Sequence, residues 1–125
     1  MNGKAIDILC NKCYYLKKVK TNFGGICVIR EADSNDINGL LELYLHLHEV
    51  GIPTLDDKLL TTWNKILDND DYHIIVCEEN GKIVSSCTCI IIANLTRNGS
   101  PYALIENVVT HESFRGRGFA SACLE

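Results

Sequence analysis

The fold of this chain is decided by residues 106–121, which read Glu-Asn-Val-Val-Thr-His-Glu-Ser-Phe-Arg-Gly-Arg-Gly-Phe-Ala-Ser. The β-branched residues at the start of this stretch predict the end of a strand. Gly116 and Gly118 predict a tight turn, and the small and apolar residues after them predict a helix over residues 116–125. The stretch is therefore expected to be a strand, a short loop and a glycine-containing turn that enters a helix.

A turn of this kind is suited to binding phosphate. The first amides of a helix lack partners inside the helix and lie at the positive end of its dipole, and glycines allow a ligand to come close to them. Arg115 and Arg117 add positive charge beside the turn. Two glycines alone are better explained by a tight turn that binds nothing, so the surrounding elements have to separate the two interpretations.

The strands and helices predicted before this stretch have clear sequence signals. Residues 26–32 are rich in β-branched side chains and predict a strand, and apolar residues at helical spacing predict an amphipathic helix over residues 34–49. Thr54-x-x-Asp57 resembles a capping box and predicts the start of a second helix. Asn80-Gly81 predicts a hairpin between the strands 72–79 and 82–95, and residues 102–110 predict a third consecutive strand. The predicted order is β-α-α-β-β-β-α, with a last helix that has no capping residue before the chain stops.

Arg115-x-x-Gly118-x-Ala120 matches the R/Q-x-x-G-x-G/A signature of the GNAT superfamily of N-acetyltransferases, and here it follows a strand and precedes a helix. The order of elements resembles that family as well. The resemblance covers residues 26–125, about the first two thirds of the fold. It implies an α/β fold with a mixed, mostly antiparallel sheet and flanking helices, truncated in the cofactor-binding helix.

The resemblance also implies a cofactor, acetyl-CoA, and the residues that bind it. The loop amides bind its pyrophosphate, and the preceding strand pairs with its pantetheine arm, with the amide of Val109 donating to the thioester oxygen. The cofactor-binding positions carried over in this way are Val108, Val109, Thr110, Arg115, Gly116, Arg117, Gly118, Phe119, Ala120 and Ser121. The family's general acid is expected in a C-terminal region that this sequence does not contain.

Glu106 is the candidate catalytic base, because it is a carboxylate in an otherwise apolar strand, where desolvation favours proton uptake. Its alternatives are a structural carboxylate at a sheet edge and an anchor for the substrate ammonium. His111 follows the strand and is interpreted as solvated rather than as a proton relay. His46 and His48 are two residues apart on the first helix and therefore on different faces, which argues against a joint metal site.

The predicted activity is transfer of an acetyl group from acetyl-CoA to a primary amine of an unidentified small molecule or peptide, by direct attack. The alternative is an inactive acyl-CoA-binding or interaction fragment of such an enzyme, and a third possibility is a purely structural fragment. CoA binding without turnover distinguishes the second from the first, and absence of CoA binding distinguishes the third.

Composition limits the remaining choices. A chain of 125 residues with 46% hydrophobic residues has room for one packed domain. Residues 1–25 hold five lysines against one acidic residue, whereas the rest holds seven basic and fifteen acidic residues. The sequence therefore predicts an N-terminal extension over residues 1–25, disordered or not native to the fold, followed by a partial N-acetyltransferase domain over residues 26–125.

Charge, apolar runs and cysteine positions indicate which partners and which cellular compartment to expect. The formal net charge of −4 argues against nucleic acid as a ligand, and the absence of a signal peptide or long apolar run predicts a cytoplasmic protein that does not enter a membrane. Five of the seven cysteines, Cys27, Cys77, Cys87, Cys89 and Cys123, lie in apolar segments and are expected as reduced thiols. Cys10 and Cys13 supply only half of a zinc site, so no metal is expected. The unpaired edge of strand 102–110 predicts self-association.

Overall fold

The computed structural model of the protein describes residues 17–20, 26–47 and 49–125. Cys10, Cys13 and His48 lie outside these residues, so the expectations that concern them are not addressed by the fold. No helix in the described ranges combines the length and apolar content that crossing a bilayer requires.

Five antiparallel strands form one sheet in the order β1-β2-β3-β4-β5. They are β1 (Lys17–Lys20), β2 (Ile26–Glu31), β3 (Tyr72–Glu79), β4 (Lys82–Ile92) and β5 (Tyr102–Thr110). The bounds predicted for β3 and β5 are confirmed, and β2 and β4 end slightly before their predicted limits. β1 belongs to the segment predicted to be an extension and pairs with β2, with Lys17 opposite Ile29. The division of the chain at residue 26 stays a prediction.

The hairpin between β3 and β4 has the turn that its sequence predicts. Asn80 and Gly81 both have positive φ, 52° and 78°. This pair of left-handed residues matches the twist of the flanking strands, which is why Asn-Gly is favoured in two-residue hairpins.

Within the described residues, the helices that cover the sheet are α1 (Ile37–Tyr44), α2 (Asp57–Asp68) and α3 (Phe119–Leu124). α1 is shorter than predicted, because the amides of Leu45, His46 and Leu47 donate to carbonyls three residues earlier and tighten the chain into successive turns. The residue that caps α2 is Asp56, whose carboxylate accepts the Leu59 amide at 2.9 Å, so the capping role predicted for Thr54 is wrong.

α3 begins three residues later than predicted. Gly116 and Gly118 have φ values of 77° and 81°, which cannot continue a right-handed helix. The helix therefore starts only after Gly118, and the two glycines shape the turn that leads into it.

The core lies on both faces of the sheet. One face packs under α3 and contains Cys27, Ile29, Cys77, Val84, Cys87, Phe119 and Cys123. The other packs under α1 and α2 and contains Leu40, Leu43, Trp63, Ile74, Val76, Ile83 and Val109. The five cysteines predicted to be reduced are free thiols, four of them buried. Burial raises the pKa of Cys87 to about 11 and that of Cys123 to about 12, so both remain protonated and pack as small apolar groups.

An ion-pair network holds the start of α1 to the sheet. The Arg30 guanidinium donates to both carboxylate oxygens of Asp36, at 2.6 and 2.8 Å, and to Glu78 at 2.9 Å. Burial alone would raise the pKa of Asp36, but the hydrogen bonds from Arg30 and from the Asp33 amide outweigh it and lower that pKa. Asp36 therefore ties α1 to β2 and, through Arg30, to β3.

Candidate functional site

β5 carries a bulge immediately before its predicted functional residues. Glu106 pairs with Thr88 and Val109 with Ser86, so Asn107 and Val108 together lie opposite Cys87. Asn107 has a φ of 50°, the left-handed conformation that asparagine tolerates better than most residues. As a result, Glu106 and Val109 face the same side of the sheet, toward α1 and α2.

Beyond the bulge, β5 forms one wall of a cleft of about 230 Å³. The cleft is lined by Val108, Val109 and Thr110 of β5, Arg115 of the loop, Ala120 of α3 and His46 from the turns after α1. The structure thus brings five of the predicted cofactor-binding residues together around one opening. Among the described residues, the sixth lining position is a histidine that the sequence did not assign to this site.

Ser85 fixes the end of β5. Its fully buried hydroxyl lies 3.0 Å from the Val109 carbonyl oxygen, to which it donates, and 2.9 Å from the Thr110 hydroxyl. The orientation of the peptide after Val109 is therefore set by a buried side chain of the neighbouring strand.

Arg115 connects two walls of the cleft. Its Nε donates to the Thr110 carbonyl and its Nη2 to the His46 carbonyl, both at 3.2 Å. The second bond places a cation at the C-terminal end of α1, where the helix dipole is negative. Arg115 thereby holds the end of α1 against the end of β5.

The glycine turn is open on its outer side. A methyl group built on Gly116 or Gly118 meets no atom within 4 Å. Arg117 lies over the Phe114 ring, with its guanidinium carbon 5.2 Å from the ring centre, and the Lys82 ammonium lies 6.0 Å from the same centre. Positive charge is thus gathered around the loop. The Phe119 side chain points away from it into the core, so only its backbone remains available to a ligand.

Two histidines meet beside the cleft. The ring centres of His46 and His111 are 4.1 Å apart with an interplanar angle of 45°, and His111 packs edge-on against Phe114. The sequence treated these histidines separately, one as part of a helix and the other as a solvated residue. Their 65-residue separation leaves no local signal of the contact.

Glu106 occupies a different environment from the one that its sequence predicts. Its side chain is exposed, as are those of residues 102–108, and Glu106 is not among the residues that line the cleft. The desolvation assumed for it is therefore wrong for this structure. Its position toward the α1 and α2 side remains compatible with contact to a substrate.

Ser121, the remaining predicted cofactor-binding residue, is exposed on α3. In the described part of the chain, no three His, Cys, Asp or Glu side chains form a group suited to a metal ion.

Comparison with known proteins identifies the family. The family model of the GNAT acetyltransferases matches residues 37–125. Comparison with curated proteins gives no match.

Three solved structures illustrate the similarity. A presumed acetyltransferase from Agrobacterium tumefaciens has 41% identity and a TM-score of 0.69 over 77% of this chain and 67% of its own. The glucosamine-6-phosphate N-acetyltransferase of Arabidopsis thaliana has 28% identity and a TM-score of 0.70 over 78% of this chain and 69% of its own. A predicted acetyltransferase from Clostridium acetobutylicum, solved with acetyl-CoA, has 27% identity and a TM-score of 0.61 over 78% and 68%.

This chain therefore spans about two thirds of the length of the structures that it resembles. Its element order, its antiparallel sheet with flanking helices and the match over residues 37–125 agree with one another. The chain belongs to the GNAT family of acetyltransferases.

Proposed function

We propose that the protein transfers an acetyl group from acetyl-CoA to a primary amine. The observation that carries this proposal is the cleft, which gathers Val108, Val109, Thr110, Arg115 and Ala120 at the junction of strand, loop and helix. The sequence assigns these five residues to the cofactor, and a similar structure from Clostridium acetobutylicum was solved with acetyl-CoA.

The loop fits the phosphate part of such a ligand. Gly116 and Gly118 leave open space where a side chain would otherwise stand, and Arg115 and Arg117 supply positive charge beside it. Gly118 precedes α3 without a side-chain cap, so the amides at this end are available to an anion.

Bound acetyl-CoA supplies an activated thioester carbonyl. The chain's contribution is to hold it: the backbone of Val108, Val109 and Thr110 is proposed to position the pantetheine arm, and the Val109 amide to donate to the carbonyl oxygen. Ser85 stabilises this arrangement, because its hydroxyl fixes the peptide between Val109 and Thr110. The general acid, the cytoplasmic location and self-association through β5 stay predictions.

Glu106 is proposed to act on the acceptor side of the same reaction. As a base it would set kcat, and as an anchor for an ammonium group it would set the KM of the amine. Glu106→Gln distinguishes these roles: a fall in kcat of about 100-fold indicates a base, whereas a raised amine KM at nearly constant kcat indicates an anchor. Wild-type values of both would remove Glu106 from the site.

A thiol-release assay with acetyl-CoA and a panel of primary amines tests the proposed activity. Amine-dependent release of CoA, with the acetylated amine detected by mass spectrometry, supports the enzyme. CoA binding in calorimetry without turnover favours the inactive acyl-CoA-binding alternative. Absence of both would contradict the proposal and leave a structural role.

A further inference from the structure

The contact between His46 and His111 calls for a functional explanation, because one of these two residues lines the cleft. His46 lies on the turns that end α1 and lines the opening together with Val108 and Val109. His111 follows β5 directly and packs against the His46 ring at 4.1 Å. Glu106 does not line the opening.

Both histidines are held by their main chains. The His46 amide donates to the Leu43 carbonyl at 3.0 Å and its carbonyl accepts from Arg115 at 3.2 Å. The His111 amide donates to the Val84 carbonyl at 2.8 Å. The two rings therefore meet because α1 and β5 are fixed relative to each other.

One nitrogen of the His111 ring is already engaged as a hydrogen-bond acceptor. The Ser113 amide donates to Nδ1 of His111 at 3.1 Å, so that nitrogen carries no proton and neutral His111 is protonated on Nε2. Taking up a second proton would remove this hydrogen bond.

The surroundings of His111 also lower its pKa. Burial lowers the pKa of His111 first, and the neighbouring His46, Lys82 and Arg115 lower it further, against an opposing effect of Glu112. These neighbours therefore disfavour the protonated form of His111.

We propose that His46 is the catalytic base that takes the proton from the attacking amine, and that His111 is the positioning residue that holds its ring at the cleft. This inference rests on the proposed N-acetyltransferase activity. It leaves Glu106 the role of ammonium anchor.

The step balances as follows. The nitrogen of a neutral amine attacks the thioester carbonyl carbon, forming a C–N bond while the C–S bond breaks and its electron pair goes to sulfur. The nitrogen loses one proton to an imidazole nitrogen of His46, and the CoA thiolate takes one from water. His46 then returns its proton to the solvent, which leaves an amide and CoA.

Kinetics of His46→Gln test the base. With a substrate amine found by thiol release, we expect kcat to fall about 100-fold and the acid limb of the pH profile to flatten, while CoA affinity measured by calorimetry stays within about twofold. Glu106→Gln should keep the acid limb and raise the amine KM. His73→Gln is the matched control: His73 is a buried histidine that contacts Glu31 at 3.0 Å, and its loss should leave the acid limb in place.

A second readout does not depend on turnover. In NMR titration of the protein without ligand, the His111 ring should gain its proton at a lower pH than an ordinary histidine, and His46→Gln should move that titration upward, because His46 is one of the neighbours that lower the pKa of His111. His111→Ala removes the aromatic partner of His46 and should lower kcat at constant CoA affinity, whereas His111→Phe, which keeps an aromatic ring against His46, should restore most of kcat. An unchanged kcat in a folded His111→Ala variant would contradict the positioning role.

The outcomes separate the two proposals. Wild-type turnover with an unchanged kcat and acid limb in His46→Gln would overturn the role of His46 alone. Lack of turnover in the wild-type protein with every amine would instead contradict the proposed function and, with it, this inference.

Discussion

Replacing Gly118 with alanine tests the phosphate-binding role of the loop at its most constrained position. Gly118 has φ 81° and ψ 13° and directly precedes α3. An L residue in this left-handed region is disfavoured by roughly 1–2 kcal/mol. Because a methyl group there meets no atom within 4 Å, no clash adds to that strain. We therefore expect Gly118→Ala to lower the free energy of unfolding by about 1 kcal/mol.

The effect on binding should exceed the effect on stability. The added methyl group would occupy the open side of the turn, where we propose that a phosphate approaches the backbone. Loss of one charge-assisted hydrogen bond costs about 1.5–3 kcal/mol, which corresponds to an increase in Kd of about 10- to 100-fold.

Calorimetric titration with CoA and denaturant unfolding measure the two quantities separately. Gly99→Ala is the matched control, because Gly99 also has a positive φ, 73°. Gly99 lies in the turn before β5, at the opposite end of that strand from the loop. A methyl group there would be in ordinary contact with the Asn94 carbonyl at 3.9 Å. Both variants should lose similar stability, and only Gly118→Ala should lose CoA affinity. Wild-type affinity in Gly118→Ala, or an equal loss in Gly99→Ala, would refute the assignment of the loop.

Two further predictions concern stability. Asp36→Ala should lower the free energy of unfolding by about 2–3 kcal/mol, less than the 3–5 kcal/mol typical of a broken buried pair. The loss is smaller because Arg30 keeps Glu78 as a partner at 2.9 Å. Denaturant unfolding measures this change, and a loss below about 0.5 kcal/mol would contradict the prediction. The pKa of His111 is lowered in the folded protein, so the unfolded chain binds the proton more readily and stability should fall as the pH drops below about 6.5. His111→Gln should remove part of that dependence below about pH 6.5, and an identical pH profile in the variant would argue against this origin.

Much of the sheet could be predicted because its signals are local. Asn80-Gly81 specifies a hairpin through the backbone preferences of two adjacent residues, and the limits of β3 and β5 follow from the turns that flank them. The limits of α1 could not be predicted in the same way, because its apolar spacing continues while the backbone hydrogen bonds change after Tyr44.

In the candidate site, too, the features with local sequence signals could be predicted and those that depend on packing could not. The loop was predictable because Arg115-x-x-Gly118-x-Ala120 lies within six residues. The contact between His46 and His111 depends on how α1 packs against β5, which no short stretch of sequence encodes. The bulge had one local indication, an asparagine at residue 107 in a strand of otherwise regular pattern. The exposure of Glu106 depends on what covers β5, and the apolar neighbours along the strand gave no information about that.

The bulge at Asn107 divides β5 into two halves with opposite parity. Before it, even-numbered positions such as Leu104 and Glu106 face α1 and α2, and after it the odd-numbered Val109 does so. Substitutions at residues 102, 104 and 106 can therefore vary one surface while the register of Val109 and Thr110 stays unchanged. Deletion of Asn107 would instead remove the bulge, leaving Val108 alone opposite Cys87 and Val109 still opposite Ser86. The extra residue thus lets Glu106 and Val109 share one face of the sheet although they are three positions apart, so the exposed first part of β5 and its buried end contribute to the same surface.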